Sequence, residues 1–191
     1  MRCLLCSSWS ITEYICVSCQ KEFLTPKITH QNFYKDIELI SFYNYNDIEQ
    51  LLKLKHTPLG WHIYKLLAKL TFKKFAQNID FNTIYTSIAV DENVDSGYSH
   101  TAILNRALKC HSIKPNYNAL RLHDDLHYSK HNLQWRKDNP RNFDLKIFKG
   151  NKIILIDDIK TTGLTLKSAV NILEKSNKEV QFIMTLADVR K

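Results

Sequence analysis

The sequence predicts an α/β domain, in which a mainly parallel sheet is flanked by helices, preceded by a small cysteine-rich unit. Three stretches, TIYTSIAV, KIILID and VQFIMTLA, are almost continuously apolar, as strands covered on both faces are. Helical patterns separate them, and strands that alternate with helices are typical of parallel β-α units. A chain of 191 residues is long enough for one such domain and a small appendage.

The composition excludes several classes of protein. Hydrophobic residues make up 44% of the chain and charged residues 24%, as in a folded globular domain rather than a disordered or fibrous one. No apolar run approaches the roughly 18 residues of a membrane span, and the N-terminal MRCLLCSSWS lacks the apolar region of a secretory signal. We therefore expect a cytoplasmic protein without a transmembrane segment.

Most of the cysteines lie near the N-terminus as two C-x2-C pairs, formed by Cys3, Cys6, Cys16 and Cys19. Each pair places two thiolates on one side of a tight turn, and two such turns can close a tetrahedron around Zn2+. Disulfide bonds are the alternative, but a reducing cytoplasm disfavours them. The sequence predicts a structural zinc knuckle over residues 1–24 that needs its metal to fold.

Two further units are expected after the knuckle. Residues 25–36 are mostly polar and contain Pro26, so we predict a connector without regular structure. Residues 37–191 are predicted to form the α/β domain.

The first elements of that domain are a strand and two helical pieces. Residues 39–45 are rich in strand formers, and Asn46 or Asp47 is predicted to cap a helix beginning at Ile48. The helical pattern that follows is divided near Pro58, because proline does not fit the interior of a helix.

The remaining elements complete the β-α alternation. Residues 83–90 are predicted as a buried strand, followed by a polar loop and a helix that begins near Thr101. NALRL is a candidate short strand, and a helix over residues 164–176 separates the last two apolar strands.

Positive charge is concentrated in one part of the chain. The formal net charge is +8 and the sequence pI is about 9.2, which favours partners that carry phosphate. Between positions 50 and 79 there is no acid, and the lysines there are Lys53, Lys55, Lys65, Lys69, Lys73 and Lys74. Such a basic face is either a solvated helix surface or a site for nucleic acid.

The stretch IILIDDIKTTGLTL runs a buried strand into two acids, Asp157 and Asp158. Ligands of open parallel sheets bind at the carboxyl ends of the strands. The residues that follow form a loop and open a helix, whose free N–H groups suit a phosphate dianion. Gly163 lets the backbone approach the ligand, and threonine hydroxyls add donors. Because carboxylates repel phosphate, their expected partners are sugar hydroxyls or a divalent cation, so the whole stretch suits a ribose 5-phosphate.

Other phosphate loops are excluded by the glycine content. The four glycines cannot form G-x-x-x-x-G-K-[ST] or G-x-G-x-x-G. A purely structural alternative is a strand-turn-helix in which threonine caps the helix, but it leaves the two adjacent acids unexplained.

The sequence IILIDDIKTTGLT resembles the phosphoribosyl pyrophosphate (PRPP) motif of type I phosphoribosyltransferases, with four apolar residues, two acids, two variable residues and T-T-G-x-T. The resemblance implies a type I phosphoribosyltransferase-like fold in which Asp157 and Asp158 hold the ribose hydroxyls and Mg2+ accompanies PRPP. The rest of the implied PRPP-binding stretch is Ile159 and the phosphate loop, Lys160, Thr161, Thr162, Gly163, Leu164 and Thr165.

The chain as a whole is similar to the competence protein ComF family, which combines such a domain with N-terminal C-x2-C pairs. SFYNYNDIEQLLKLKHTPLG matches the family's strand and lysine-bearing helix, and GYSH lies where the family shows G-F-N-Q. Arg121, Arg136 and Asn139 fit its arginine and R-x-x-N positions. The resemblance implies a role in natural transformation, with single-stranded DNA bound by the lysines listed above, Arg121 and Arg136. It also implies other DNA-uptake proteins at the inner membrane as partners.

The chain departs from the family after the strand over residues 83–90, where DENVDSG is acidic and the family carries arginines. Ser87 takes the position of the pyrophosphate loop, and Arg121 or Arg136 can supply positive charge. Without a recognisable hood for an acceptor, binding of PRPP without turnover is the favoured interpretation. One alternative is an active Mg2+-dependent phosphoribosyltransferase with an unknown base, nucleotide or amine acceptor, and another is a regulator that senses PRPP.

A second candidate metal site lies in LRLHDDLHYSKHNL, where His123, His127 and His131 are spaced by four residues. This spacing presents one face of a helix to a metal only if the helix is continuous. The pattern of apolar residues does not support such a helix, so solvated or packed histidines are the favoured interpretation.

Overall fold

A computed structural model of the chain describes residues 1–11, 13–91, 97–122, 134–135 and 141–189. Within these ranges one seven-stranded sheet has the order β1-β2-β7-β6-β3-β4-β5. The strands are β1 (Thr29–Tyr34), β2 (Ile37–Asn44), β3 (Tyr85–Asp91), β4 (Ile113–Leu122), β5 (Phe143–Leu145), β6 (Lys152–Lys160) and β7 (Glu179–Asp188). The five central strands are parallel, and β1 and β5 pair antiparallel at the two edges. The predicted fold class is therefore confirmed.

Helices cover both faces of the sheet. They are α1 (Val17–Phe23), α2 (Tyr45–Leu52), a 3-10 turn (Lys53–His56), α3 (Pro58–Leu70), α4 (Phe72–Asn78), α5 (His100–Ala107) and α6 (Leu164–Lys175). One apolar core lies between the sheet and α2 to α5, and a second lies between the opposite face and α6. Among the described residues, no helix is both long and apolar enough to cross a membrane.

The starts of α2 and α3 follow simple capping rules. Asn44, at the end of β2, caps α2 by accepting a hydrogen bond from the backbone N–H of Asn46 at 3.0 Å. The predicted cap at Asn46 or Asp47 is therefore wrong, because an earlier asparagine already satisfies the helix start. Pro58 opens α3, which confirms the predicted division of the helical region.

The segment predicted as an irregular connector contains strand β1. Thr29 pairs with Ser41, and the antiparallel ladder continues to Tyr34, which pairs with Ile37. Pro26 precedes the strand, so it removes no hydrogen bond from the ladder. Residues 29–34 therefore extend the sheet at its edge, and the expectation of a structureless tether is wrong for them.

The cysteine-rich unit packs on the α/β domain. Ile15 and Leu24 are fully or almost fully buried and belong to the same apolar core as β2 and α3. The Tyr43 hydroxyl donates a hydrogen bond to the carbonyl of Leu24 at 2.8 Å. The two predicted units thus share a core, and a domain boundary after residue 24 stays a prediction.

The topology opens a crevice between β6 and β3. From β6 the chain passes through α6 to β7 on one side, whereas from β3 it passes through α5 to β4 on the other side. Neighbouring strands whose connections diverge in this way leave a gap at their carboxyl ends, which is where ligands of open α/β sheets bind. The helices that follow these two strands, α5 and α6, both begin at this edge.

Candidate functional site

The loop after β6 has a shape suited to an anion. β6 ends at Lys160, residues 161–163 turn, and α6 begins at Leu164. Gly163 occupies the N-cap position with φ 75° and ψ 5°, a left-handed conformation that favours glycine. A glycine cap offers no side chain to the first N–H groups of α6, so these donors suit an anionic ligand. Thr161 and Thr162 are exposed beside them.

Strand β1 lies against this loop. A Cβ atom placed on Gly163 would collide with the ring of Phe33. The ammonium of Lys167, in the first turn of α6, lies 5.9 Å from the centre of the same ring. Glycine is therefore required at position 163 for its backbone conformation and for its contact with β1, and ligand access to the loop is limited to the side away from Phe33.

Asp157 and Asp158 lie within β6, near its carboxyl end, rather than in the loop. Successive residues of a strand point to opposite faces, so the two carboxylates do not share one side of the sheet. Ile156 packs in the core toward α3 and α5, and Leu155 packs in the core toward α6. By this alternation Asp158 faces α3 and α5, and Asp157 faces α6. Asp157 is half-buried, and its Oδ1 accepts a hydrogen bond from the N–H of Asp158 at 2.8 Å.

Asp158 is buried in a cluster of polar side chains, which we call the Asp158 cluster: Asp158, Lys55, Tyr64 and His100. Its Oδ2 atom lies 3.1 Å from Lys55 Nζ and 3.3 Å from His100 Nε2. The Tyr64 hydroxyl donates to the same oxygen at 3.3 Å, and Oδ1 accepts the N–H of Ile159 at 2.8 Å. Four elements therefore meet at one carboxylate: β6, the 3-10 turn, α3 and α5.

Asp158 is ionised in this environment. Burial alone would raise its pKa, but the positive charge of Lys55 and the nearby His100 ring outweigh burial and hold the pKa well below that of an ordinary aspartate. Burial and the Asp158 charge raise the pKa of Tyr64, so its hydroxyl stays protonated and acts as a donor. The cluster is a buried carboxylate whose charge is compensated from within the protein.

A second ion pair lies beside the loop. Lys160, predicted to belong to the phosphate loop, is mostly buried, and its Nζ lies 2.9 Å from Oδ1 of Asp188 at the end of β7. Gln31 of β1 donates to the other oxygen of Asp188 at 2.7 Å. The ammonium of Lys160 therefore pairs with Asp188 at the place where β6, β7 and β1 meet.

The other predicted ligand residues lie away from this site or outside the described residues. Ser87 is fully buried in β3, and its hydroxyl donates to Asn105 Oδ1 at 2.6 Å, so its side chain is not brought to the crevice. Arg121 is exposed near the end of β4 and donates to Asn118 at 3.1 Å. The remaining candidates lie outside the described residues, namely Arg136, Asn139, His123, His127 and His131.

The six predicted lysines do not form one uniform face. Lys55 is engaged by Asp158, Lys53 pairs with Glu49 at 3.0 Å, and Lys69 pairs with Glu13 at 3.2 Å. Lys73 and Lys74 are exposed on α4. A groove of about 770 Å³ runs between α3, α4 and α5, and its charged and aromatic lining consists of Trp61, Lys65, Lys69, Lys73, Arg106, Lys109 and His111.

The four N-terminal cysteines come together as predicted. All four Sγ atoms lie within 4.8 Å of one another, and Cys6 Sγ and Cys16 Sγ are 3.7 Å apart. A tetrahedral zinc site with Zn–S distances of about 2.3 Å has sulfur–sulfur distances of about 3.8 Å. Cys3 and Cys19 are buried, and Cys3 Sγ accepts the N–H of Cys16 at 3.3 Å. The cluster can hold a metal ion, and its four thiol ligands suit zinc.

Sequence reasoning missed three residues that shape the carboxyl edge of β6: Tyr64, His100 and Asp188. Tyr64 lies in an apolar helical pattern, which gives no sign of its hydrogen bond to Asp158. His100 belongs to the GYSH stretch, so the similarity to a family motif was the only signal for it. Nothing in the local sequence marks Asp188 as the partner of Lys160, because their contact depends on the register of β6 and β7.

Comparison with known proteins gives matches at the level of structure. No family model matches the chain, and no curated protein is significantly similar to it. Similar solved structures include a hypoxanthine phosphoribosyltransferase from Staphylococcus aureus (17% identity, 65% of this chain and 62% of that chain, TM-score 0.44). They also include an orotate phosphoribosyltransferase from Aeropyrum pernix (16% identity, 90% and 80%, TM-score 0.43) and an adenine phosphoribosyltransferase (17% identity, 88% and 89%, TM-score 0.37). Similarities at this level do not transfer substrate or activity.

Proposed function

We propose that this protein binds PRPP or a related phosphoribosyl ligand at the carboxyl end of β6. The observation that carries the proposal is the left-handed Gly163, which opens α6 without a capping side chain of its own, immediately after the strand that bears Asp157. The N–H groups at the start of α6 would hold the 5-phosphate, and the hydroxyls of Thr161, Thr162 and Thr165 would add donors.

Asp157 supplies the complementary group for the sugar. A carboxylate accepts hydrogen bonds only, so it suits ribose hydroxyls and not the phosphate. Mg2+, when bound with PRPP, would bridge and neutralise the pyrophosphate oxygens. Residues 92–96, which follow β3 on the other side of the crevice, lie outside the described range, so no pyrophosphate contact is assigned to them.

Calorimetric titration with PRPP and Mg2+ tests this proposal. The wild type should bind, and Asp157→Asn should weaken binding by at least about tenfold, since a charge-assisted hydrogen bond to the sugar is lost. Asp80→Asn is the matched control, because Asp80 is exposed and pairs with His111 far from β6. Equal affinity of the wild type and Asp157→Asn would contradict the assignment of the sugar site.

The same samples separate binding from catalysis. We propose binding without turnover, so PRPP with a panel of bases, nucleotides and amines should release no pyrophosphate above the rate without protein. Release that requires one acceptor and is lost in Asp157→Asn would instead establish the alternative, a Mg2+-dependent phosphoribosyltransferase.

The basic groove favours single-stranded DNA as a second ligand. Cationic side chains line it, with no acid among the lining residues, and the Trp61 ring is partly exposed at its end. Affinity for an oligonucleotide should fall steeply with salt, and Lys73→Gln with Lys109→Gln should reduce both affinity and salt dependence. Lys53→Gln, which lies outside the groove, is the control. A flat salt response would exclude this ligand, and the role in natural transformation implied by the ComF resemblance stays a prediction.

A further inference from the structure

We infer that Asp158 does not contact the phosphoribosyl ligand, and that Lys55 is a positioning residue that neutralises Asp158 so that an anionic ligand can bind beside it. This inference rests on the proposed function of the site. It differs from the role that the sequence motif implies, in which both adjacent acids hold the sugar.

The first argument is the hydrogen-bonding capacity of Asp158. An ionised carboxylate offers about four acceptor positions on its two oxygens. Lys55 and Tyr64 donate to Oδ2, His100 Nε2 lies 3.3 Å from the same oxygen, and Oδ1 accepts the N–H of Ile159. These contacts fill Oδ2, and burial of the side chain restricts access to the remaining position on Oδ1. A sugar hydroxyl that displaced Lys55 or Tyr64 would leave a buried donor without a partner, and such a loss is unfavourable.

The second argument is direction. Asp158 is only 6% exposed and belongs to the side of β6 that faces α3 and α5. The half-buried Asp157 belongs to the side that faces α6, whose first turn forms the anion-binding loop. A ribose whose 5-phosphate is bound at that loop would therefore contact Asp157 rather than Asp158.

The third argument is charge. PRPP carries several negative charges, and an uncompensated charge on Asp158 next to its site would oppose binding. Lys55 removes this repulsion, because its side chain is only 22% exposed and its Nζ is held 3.1 Å from Asp158. Its backbone is fixed as well, since the Tyr98 hydroxyl donates to the Lys55 carbonyl.

Lys53 offers a matched comparison within the same 3-10 turn. It also forms an ion pair, with Glu49 at 3.0 Å, but its side chain is 65% exposed. Water already screens such a pair, so neutralising Lys53 should leave the ligand site unaffected. A comparison of variants at the two lysines therefore separates the effect of losing any positive charge from the effect of losing the buried partner of Asp158.

The test compares single and double variants, with affinity for PRPP and for ribose 5-phosphate measured by calorimetry in Mg2+. Lys55→Met should weaken both ligands by at least about tenfold, because it leaves Asp158 charged and unpaired. Lys55→Met with Asp158→Asn removes both charges and should return affinity to within about threefold of the wild type. Lys55→Arg should retain most of the affinity, and Lys53→Met should match the wild type.

Each outcome decides a separate point. If the double variant stays at least about tenfold weaker than the wild type, the loss does not come from the unpaired charge of Asp158. Asp158 or Lys55 then contacts the ligand directly, and the inference is wrong. Should Lys55→Met fail to fold, the double variant and Lys55→Arg still give the comparison. Absence of binding by the wild type would instead reject the proposed function, and with it this inference.

Discussion

The four-cysteine cluster and the Asp158 cluster both bring together groups whose negative charge must be compensated, but the compensating charge comes from different sources. Each gathers groups that are unfavourable to bury alone, namely thiolates in the first and a carboxylate in the second. The four cysteines can be neutralised by a metal ion bound from solution, whereas Asp158 receives the ammonium of Lys55 from within the chain. The stability that depends on the first cluster should therefore fall when a chelator is added. The stability that depends on the second should fall on substitution and in acid.

The clusters also differ in how far apart their members lie in the chain. All four cysteines lie in the first 19 residues, on one turn and at the start of α1. Lys55 and Asp158 are separated by 103 positions, and the cluster exists only when the sheet and its helices are assembled. The cysteine cluster can therefore form with local structure, whereas the Asp158 cluster reports the completed fold.

Removal of the metal should have the largest effect on stability. Without it the knuckle should unfold and expose Ile15 and Leu24, which are buried in the core shared with β2 and α3. Loss of two such side chains costs about 3–6 kcal/mol, which corresponds to a fall in Tm of roughly 10–20 °C. Circular dichroism melts with and without a chelator check this, with Cys16→Ser as the genetic equivalent. Cys110, the fifth cysteine, lies outside the cluster, so Cys110→Ser is the control. An unchanged Tm would show that the knuckle does not depend on metal.

Replacement of Lys55 should have the next largest effect on stability, and a larger effect than replacement of Lys53. Lys55→Met leaves a buried charge without its partner, which costs about 3–5 kcal/mol in free energy of unfolding. Lys53→Met removes only an exposed ion pair that water already screens, so its free energy of unfolding should match that of the wild type. Urea unfolding measures both values, and similar losses for the two variants would contradict the internal role of Lys55.

Alanine at Gly163 tests the loop that lies beside both ion pairs. The left-handed backbone and the contact with Phe33 both oppose a Cβ, so we expect a loss of about 1–3 kcal/mol in stability and weaker phosphate binding. Adding Phe33→Ala should recover only the part of the stability loss that is caused by the collision with Phe33. Wild-type affinity in Gly163→Ala would show that the phosphate is not held at this loop.

Acid should produce the smallest and most gradual effect. Because the folded-state pKa of Asp158 is lowered, its contribution to stability is present above the unfolded pKa of about 3.9 and is lost as pH falls below that value. Each pH unit should remove at most about 1.4 kcal/mol. The free energy of unfolding of the wild type should therefore fall toward that of the Lys55→Met, Asp158→Asn double variant only below about pH 4. A difference that does not change with pH would contradict the assignment.

Local patterns in the sequence predicted strands β2, β3, β6 and β7, part of β4, the helix α6 and the four-cysteine cluster. Spacing alone carries such features, since C-x2-C and strand-loop-helix patterns are properties of neighbouring residues. Strand β1 was missed because THQNFY is polar and pairs only at one edge of the sheet, where the partner strand decides the conformation. The pairing of Lys55 with Asp158 was missed because it depends on tertiary contact, so Lys55 was read as part of a surface.

A crystal structure of the protein with ribose 5-phosphate tests the central claim most directly. We expect the phosphate within hydrogen-bond distance of the N–H groups at the start of α6 and a ribose hydroxyl on Asp157, while Asp158 keeps its contact with Lys55. A phosphate bound elsewhere, or an empty loop at a ligand concentration that saturates binding in solution, would contradict the claim.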